Sequence, residues 1–248
     1  MTGASSGIGS ALARQLRKRG YGLVVVARRK DRLEELAAEL GDTHVLTCDL
    51  TDAEDRGSLA QRVEELGLEV DVLVNNAGFA TGGPFIDSDP EKEVGQVRLL
   101  VEAPVALTSA FLPAMAKRRS GAILNVASTA GLESLPNSAG YAAAKHHTRV
   151  FSESLHHELR GKGIAVSALC PGPVHTELWE NADDHPVEAA VPQALWISAE
   201  RCAEEAVAGL ERNRRVIVPG LPIRAGYAAL QYLPDAVKLP LTERVLRR

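Results

Sequence analysis

The chain has 248 residues, of which 45% are hydrophobic and 24% are charged, and its formal net charge is −4 at pH 7. This is the composition of a globular protein, which excludes collagen-like, low-complexity and disordered chains. A net negative charge supplies no field for counterion-driven binding, so we expect no nucleic-acid partner.

The cysteines and the apolar runs indicate the compartment. Cys48, Cys170 and Cys202 form no CxxC pair, which disfavours a zinc ribbon or a redox dithiol, and we predict no metal site. Their odd number, with no apolar signal segment after Met1, favours a reducing cytoplasm. No run approaches ~18 consecutive apolar residues, so the sequence predicts no transmembrane segment.

Short β-branched runs alternate with helical patterns along the chain. We predict strands at residues 23–27, 44–48, 70–75, 122–127, 164–169 and 216–218, and helices at 31–40, 52–66, 90–119 and 139–161. Several strands are apolar throughout, which suits a parallel sheet that is buried on both faces. The alternation, without a linker, predicts a single α/β domain: a doubly wound parallel sheet of the Rossmann type between two layers of helices.

A glycine-rich turn opens the chain. Residues 2–9 read TGASSGIG and lead into a helix. Gly3 permits a tight turn, Gly7 lets the backbone approach a phosphate, and Gly9 allows a helix to pack closely on a strand. The helix N-terminus then offers free N–H groups to a pyrophosphate. Such a pattern alone is weak evidence for a dinucleotide site, because Gly-rich turns into helices are common.

Two arginines follow the first predicted strand. Arg28 and Arg29 stand where a carboxylate would bind the ribose 2′-hydroxyl of NAD, and the nearest acid, Asp31, lies three residues beyond Arg28. Because arginine pairs well with phosphate, this arrangement favours NADP(H) over NAD(H). The alternative is that both arginines merely end a strand at the surface.

A dinucleotide-binding turn normally follows a buried central strand, but this chain begins with Met1 and Thr2. Burying about five apolar side chains contributes roughly 1.5–3 kcal/mol each, which is comparable with a domain's net stability of ~5–15 kcal/mol. We therefore expect the first strand to be missing from the numbered chain and the native N-terminus to lie upstream of Met1.

A tyrosine, a lysine and a serine form the candidate catalytic group. Tyr141 and Lys145 stand four residues apart in a predicted helix and so share one face. A nearby cation stabilises a phenolate and lowers the tyrosine pKa. Ser128 lies thirteen residues before Tyr141, at the end of a predicted strand, where doubly wound sheets bind ligands. Tyr and Lys at this spacing are usually surface neighbours, but their combination with Ser128 and the glycine turn favours catalysis.

Together these motifs resemble those of the classical short-chain dehydrogenase/reductase (SDR) family. TGASSGIG at 2–9, NNAG at 75–78, Ser128, YAAAK at 141–145 and PGPVHT at 171–176 occur in the family's order and spacing, over about residues 1–220. The resemblance implies an oxidoreductase that transfers a hydride between NADP(H) and a carbonyl or secondary alcohol. It implies that Tyr141 is the acid and base, that Ser128 holds the substrate oxygen, and that Lys145 contacts the nicotinamide ribose and lowers the Tyr141 pKa.

The predicted cofactor-binding residues come from the glycine turn, the two arginines and the resemblance. The resemblance assigns Asp49 and Leu50 to the adenine, and Val174 and Thr176 to the carboxamide side of the nicotinamide. In chain order the full set is Gly3, Ser5, Ser6, Gly7, Ile8, Gly9, Arg28, Arg29, Asp49, Leu50, Asn76, Ala77, Gly78, Tyr141, Lys145, Pro171, Gly172, Val174 and Thr176.

One position departs from the family's pattern. Leu100 stands where the family carries a fourth catalytic residue, an asparagine that holds a helix irregularity. Leucine keeps the backbone carbonyl but has no polar side chain to fix the bend. We predict that Leu100→Asn raises kcat with little change in NADPH affinity. The alternative function is a weakly active or inactive NADPH-binding protein with a regulatory or interaction role.

Three further predictions concern substrate and assembly. Residues 177–200 have the character of a substrate lid, with an ordinary long loop as the alternative. Residues 220–248 form a C-terminal extension that we expect to dock on protein. The resemblance implies a homodimer or homotetramer. An apolar ketone or alcohol substrate is favoured by the residues of the loops around the pocket, namely Phe79, Phe85, Leu132, Leu135 and Trp196.

Overall fold

A parallel sheet with helices on both faces frames the molecule. The structure is a computed structural model and describes residues 1–132, 134–177 and 191–230. Its strands are β1 (Leu23–Ala27), β2 (Thr43–Thr47), β3 (Val72–Asn75), β4 (Gly121–Val126), β5 (Ile164–Leu169) and β6 (Val216–Ile217). Its α-helices are α1 (Gly7–Lys18), α2 (Lys30–Leu40), α3 (Ala53–Glu65), α4 (Pro90–Val97), α5 (Ala103–Arg118), α6 (Ala139–Glu158), α7 (Ala199–Glu211) and α8 (Leu221–Leu230).

All the strand pairs in these ranges are parallel. β1 pairs with β2, and β3 to β6 pair in sequence order. Met1 and Thr2 lie between β1 and β3, because the Thr2 amide donates to the carbonyl oxygen of Val74 and the Val26 amide donates to that of Met1, each at 2.9 Å. The winding reverses at this point, which is where open α/β sheets bind ligands. The doubly wound fold is therefore confirmed, and the strand expected before Met1 stays a prediction.

Two apolar cores fill the space between the sheet and its helices. On one face, Leu12 of α1, Leu33 of α2 and Val207 of α7 pack in one cluster with the sheet. On the other face, Leu59 of α3 and Met115 of α5 belong to the second cluster. The continuous apolar character of the predicted strands follows from this double burial.

The predicted helices are present, with three differences, one of which is that helix α8 at the start of the C-terminal extension was not predicted. The predicted helix 90–119 is divided by a π-helical segment, Arg98–Glu102, which separates α4 from α5. Helix α7 was not predicted, although Cys202, Ala206 and Leu210 form an apolar stripe at helical spacing and are buried. Small residues on the buried face make such a stripe weaker than one of leucines.

One long helical stretch bears on the prediction about membrane spans. Within the described ranges, one helical stretch, Pro90–Arg118, is long and apolar enough to cross a membrane, with a mean hydropathy of 1.6 over its best window. Thr108 and Ser109 interrupt its apolar run, so a test for consecutive apolar residues misses it. Its side chains at Leu107 and Met115 are buried in the protein core. The packing is that of a helix lying on a sheet, although length and composition alone leave it a candidate span.

Candidate active site

A cavity of about 530 Å³ opens at the carboxyl edge of the sheet. Every predicted catalytic and cofactor-binding residue lines it, from the glycine turn through Ser128, Tyr141 and Lys145 to Thr176. Its lining also includes Phe79, which was predicted to lie beside the substrate pocket. The other lining residues were not named as site residues by the sequence analysis: Ala27, Cys48, Thr51, Leu99, Val126, Ala127 and Glu177. The structure thus brings the predicted set together, whereas the individual roles stay predictions.

The glycine turn is shaped for a close approach of backbones. Gly3 has φ +66°, and a Cβ there would lie 2.7 Å from Cα of Ala77. A Cβ on Gly9 would lie 2.0 Å from the carbonyl oxygen of Gly3. Asn76 fastens the turn, since its Nδ2 donates to the Gly3 carbonyl at 3.0 Å. Only glycine therefore fits at either position.

The start of α1 fits an anionic ligand. The side chain of Ser6, the N-cap residue, makes no capping hydrogen bond, and the first turn carries no acidic residue. The first N–H groups of a helix carry a partial positive charge and bind phosphate well. Because this helix end lines the cavity, the residues present fit the pyrophosphate of a dinucleotide.

The two arginines differ in their surroundings. Arg29 donates from Nη2 to the hydroxyls of Ser5 at 3.0 Å and Ser6 at 2.9 Å. Arg28 is exposed and lies close enough to act on Asp49. Burial tends to raise the Asp49 pKa, but hydrogen bonds from Thr51 and the charge of Arg28 outweigh it and lower that pKa. A guanidinium with two hydroxyls beside it is a good partner for a phosphate group.

The three candidate catalytic residues lie close together in the lining of the cavity. Tyr141 and Lys145 lie on α6, Ser128 follows β4, and all three side chains are buried. The Nζ atom of Lys145 lies 5.7 Å from the centroid of the Tyr141 ring. It donates a hydrogen bond of 2.8 Å to the carbonyl oxygen of Val126.

Burial dominates the electrostatics of Tyr141 and Lys145. Burial raises the pKa of Tyr141 to about 12, while a hydrogen bond with Ser128 acts in the opposite direction. Burial lowers the pKa of Lys145 to about 8. Removal from water therefore dominates the pKa of Tyr141, and the expectation that Lys145 lowers this pKa stays a prediction.

Leu100 lies within the π-helical segment, so the helix irregularity exists without an asparagine side chain. Its side chain is buried in a small cluster with Ala80, Tyr141 and Ala144. Its carbonyl oxygen accepts a hydrogen bond of 3.1 Å from the hydroxyl of Thr148. Thr148 is a residue that sequence reasoning missed, and no local motif marks it.

The predicted lid and C-terminal extension are described only in part. Residues 178–190 and 231–248 lie outside the described ranges. His175 precedes residues 178–190 in the chain and Trp196 follows them. The centroids of their two rings lie 5.0 Å apart. Helix α8 packs on the domain through Ile223, whose side chain approaches Gly172. Docking on protein therefore holds for the described part of the extension. Among the described residues, no group of three metal-binding side chains is found.

The chain matches the short chain dehydrogenase family over residues 1–186. A bovine dehydrogenase/reductase SDR family member 7B is 38% identical over 192 residues, which are 73% of this chain and 59% of that protein. The chain thus spans about 60% of the length of the curated relative. It belongs to the short-chain dehydrogenase/reductase family, as the sequence motifs predicted.

Solved structures agree with this chain in fold. A short-chain dehydrogenase from Sphingobium yanoikuyae, solved in complex with NADPH, is 32% identical with a TM-score of 0.83, and the match covers 98% of this chain and 94% of that one. An alcohol dehydrogenase from Comamonas testosteroni, specific for bulky-bulky ketones, is 28% identical with a TM-score of 0.78, over 95% and 94% of the two chains.

Proposed function

We propose that this chain is an NADP(H)-dependent oxidoreductase that acts on a carbonyl compound or a secondary alcohol. The observation that carries the proposal is that the buried side chains of Ser128, Tyr141 and Lys145 line the same cavity as the glycine turn and the start of α1. Family membership and a neighbour that binds NADPH support it.

Different residues along the cavity would bind different parts of the cofactor and the substrate. The turn at Gly7 and the start of α1 would hold the pyrophosphate, and Arg28 and Arg29 would hold the 2′-phosphate. When bound, the nicotinamide supplies or accepts the hydride. Phe79 and Leu99 also line the cavity, and these apolar side chains favour an apolar substrate.

Tyr141 is suited to donate a proton to a carbonyl oxygen. With a pKa near 12, its phenol is protonated at neutral pH. Ser128 can share the substrate oxygen through its hydroxyl, which positions that oxygen next to Tyr141. Once the proton has left, the positive charge of Lys145 stabilises the phenolate of Tyr141. This electrostatic interaction is strong because both side chains are buried away from water. In the oxidative direction Tyr141 takes the proton back.

The test is a thermal melt with and without excess NADPH or NADH, followed by a screen of ketones of increasing bulk. A ligand present at ~100 times its Kd adds about 2.7 kcal/mol to the stability, so binding is readily visible. We expect the larger shift with NADPH, and Arg29→Gln should reduce that shift toward the NADH value. Arg212→Gln, an exposed arginine outside the cavity, is the matched control.

Three outcomes decide between the proposal and its alternative. Oxidation of NADPH that depends on a ketone and on Tyr141 supports the proposed enzyme. Cofactor binding without turnover of any ketone or alcohol supports the regulatory NADPH-binding protein. Equal shifts with NADPH and NADH, unaffected by Arg29→Gln, overturn the cofactor preference.

Assembly and location are part of the same proposal. Val94 and Val97 on α4 and Val150 on α6 are exposed large apolar residues, and such surfaces favour association. We infer a homodimer or homotetramer that these helices join. A cytoplasmic location rests on the free and buried thiols of Cys48 and Cys170. Size-exclusion chromatography with light scattering of the wild type and of Val94→Glu tests the assembly.

A further inference from the structure

A carboxylate bridges two arginines at the mouth of the cavity. Glu177 accepts a hydrogen bond from Nη1 of Arg29 at 3.0 Å and another from Nη1 of Arg32 at 2.5 Å. Arg29 precedes α2, whereas Glu177 follows β5 and lies 148 residues further along the chain. The contact therefore joins the two sides of the cavity.

Arg29 has two kinds of hydrogen-bond partner: one favours the binding of a phosphate group beside it, and the other opposes that binding. The hydroxyls of Ser5 and Ser6, which bond to its guanidinium, are groups that a phosphate tolerates or binds. The carboxylate of Glu177 carries the same sign of charge as a phosphate and already uses one of the guanidinium N–H groups. Both Arg29 and Glu177 line the cavity.

We propose that Glu177 modulates cofactor specificity, because its carboxylate competes with the 2′-phosphate of the cofactor for Arg29. The preference for NADP(H) over NAD(H) is then smaller than the arginines alone would give. This inference rests on the proposed function, in which Arg29 binds that phosphate.

Arg32 makes the competition reversible. When a phosphate binds Arg29, Glu177 can keep its hydrogen bond from Arg32. The charge of Glu177 therefore still has a cationic partner. The hydrogen bonds from Arg32 and Arg29 lower the pKa of Glu177, so its carboxyl group is ionised at neutral pH while both bonds are made.

The expected effect is modest, because these side chains are between one-third and one-half exposed. Exposed ion pairs are worth about 0–1 kcal/mol. Removing the competitor should therefore tighten the binding of a 2′-phosphate by about two- to fivefold. The effect should shrink in high salt, since exposed charges are screened.

The experiment compares adenosine 2′,5′-bisphosphate with 5′-AMP by calorimetric titration of the full chain. These probes differ by the 2′-phosphate and need no turnover. The variant is Glu177→Gln, and the control is Glu34→Gln, which makes the same charge change on α2, where Glu34 pairs with Lys30 outside the cavity. Thermal melts verify that each variant is folded.

The expected result is a two- to fivefold lower Kd of Glu177→Gln for the bisphosphate, with unchanged Kd for 5′-AMP and with Glu34→Gln equal to the wild type. If the wild type prefers the bisphosphate and Glu177→Gln binds it equally or more weakly, the competition is overturned while the proposed function stands. If the wild type binds both probes equally, the cofactor preference itself is overturned, and the competition with it.

Discussion

The hydroxyl of Thr148 lies 3.1 Å from the carbonyl oxygen of Leu100 and 3.0 Å from that of Ala144. It thereby joins α6, three residues after Lys145, to the π-helical segment that interrupts the long helix. The irregular turn is held from the neighbouring helix, and residue 100 needs no amide of its own for the turn to form.

This relationship changes what Leu100→Asn should do. The leucine side chain is buried next to Tyr141, and an asparagine there would bury a polar amide. Burial of an unpaired amide costs about 1–3 kcal/mol, so we expect the free energy of unfolding to fall by that amount. Urea denaturation measures it, with Leu68→Asn at a more exposed leucine as the control. The kcat of the same preparation tests the sequence-based expectation of faster turnover.

Tyr141→Phe should abolish catalysis without abolishing cofactor binding. Loss of a general acid typically costs 10²–10⁴-fold in rate, and phenylalanine keeps the ring that fills the site. We expect kcat to fall by at least about 100-fold while the NADPH-induced rise in Tm persists. Tyr21→Phe, at an exposed tyrosine, should match the wild type. A Tyr141→Phe variant that retains full activity would remove this residue from the mechanism.

Lys145→Met should alter the dependence of stability on pH. The folded protein holds the pKa of Lys145 at about 8 instead of the ordinary 10.5, because the ammonium group is buried. Between these values the unfolded chain binds the proton and the folded protein does not, so the stability of the wild type rises with pH. The rise contributed by this group is about 3 kcal/mol.

The measurement is a series of urea denaturations in the absence of cofactor, from pH 7 to 10. Lys145→Met should lack the rise above pH 8, whereas Lys162→Met, at an exposed lysine, should keep it. An equal rise in the wild type and in Lys145→Met would show that the lysine is not deprotonated in the folded protein.

Gly9→Ala and Gly57→Ala form a matched pair. Both glycines are in helices, but a Cβ on Gly9 would lie 2.0 Å from the Gly3 carbonyl oxygen, whereas a Cβ on Gly57 would meet nothing within 4 Å. Gly57→Ala should stabilise the protein by about 0.5–1 kcal/mol, since alanine is the better helix former.

Gly9→Ala should destabilise the protein by about 1–3 kcal/mol, as overpacking does, and weaken NADPH binding because the turn must shift. Thermal melts of both variants, with and without NADPH, test the pair. A Gly9→Ala variant that melts and binds NADPH like the wild type would contradict the close approach of α1 to the turn.

The residues that line the cavity could be predicted from the sequence because local backbone geometry and residue spacing determine where they lie. Gly3 and Gly9 serve a turn whose steric limits are local, and Ser128 follows a strand whose carboxyl end must lie at the ligand edge of a parallel sheet. Tyr141 and Lys145 share a helix face by spacing alone. Helix α7 was missed since alanines such as Ala203 give a weak apolar signal.

The sequence by itself determined the family, the doubly wound fold and the identity of most of the residues at the cavity, because short motifs, short-range periodicity and turn chemistry specify them. Only the tertiary structure decided the pKa of Tyr141, the partner of Lys145 and the ion pairs of Glu177. The physical reason is that burial and long-range contacts set these properties. Arg29 and Glu177 are 148 residues apart in the chain, and nothing local in either segment indicates that they meet.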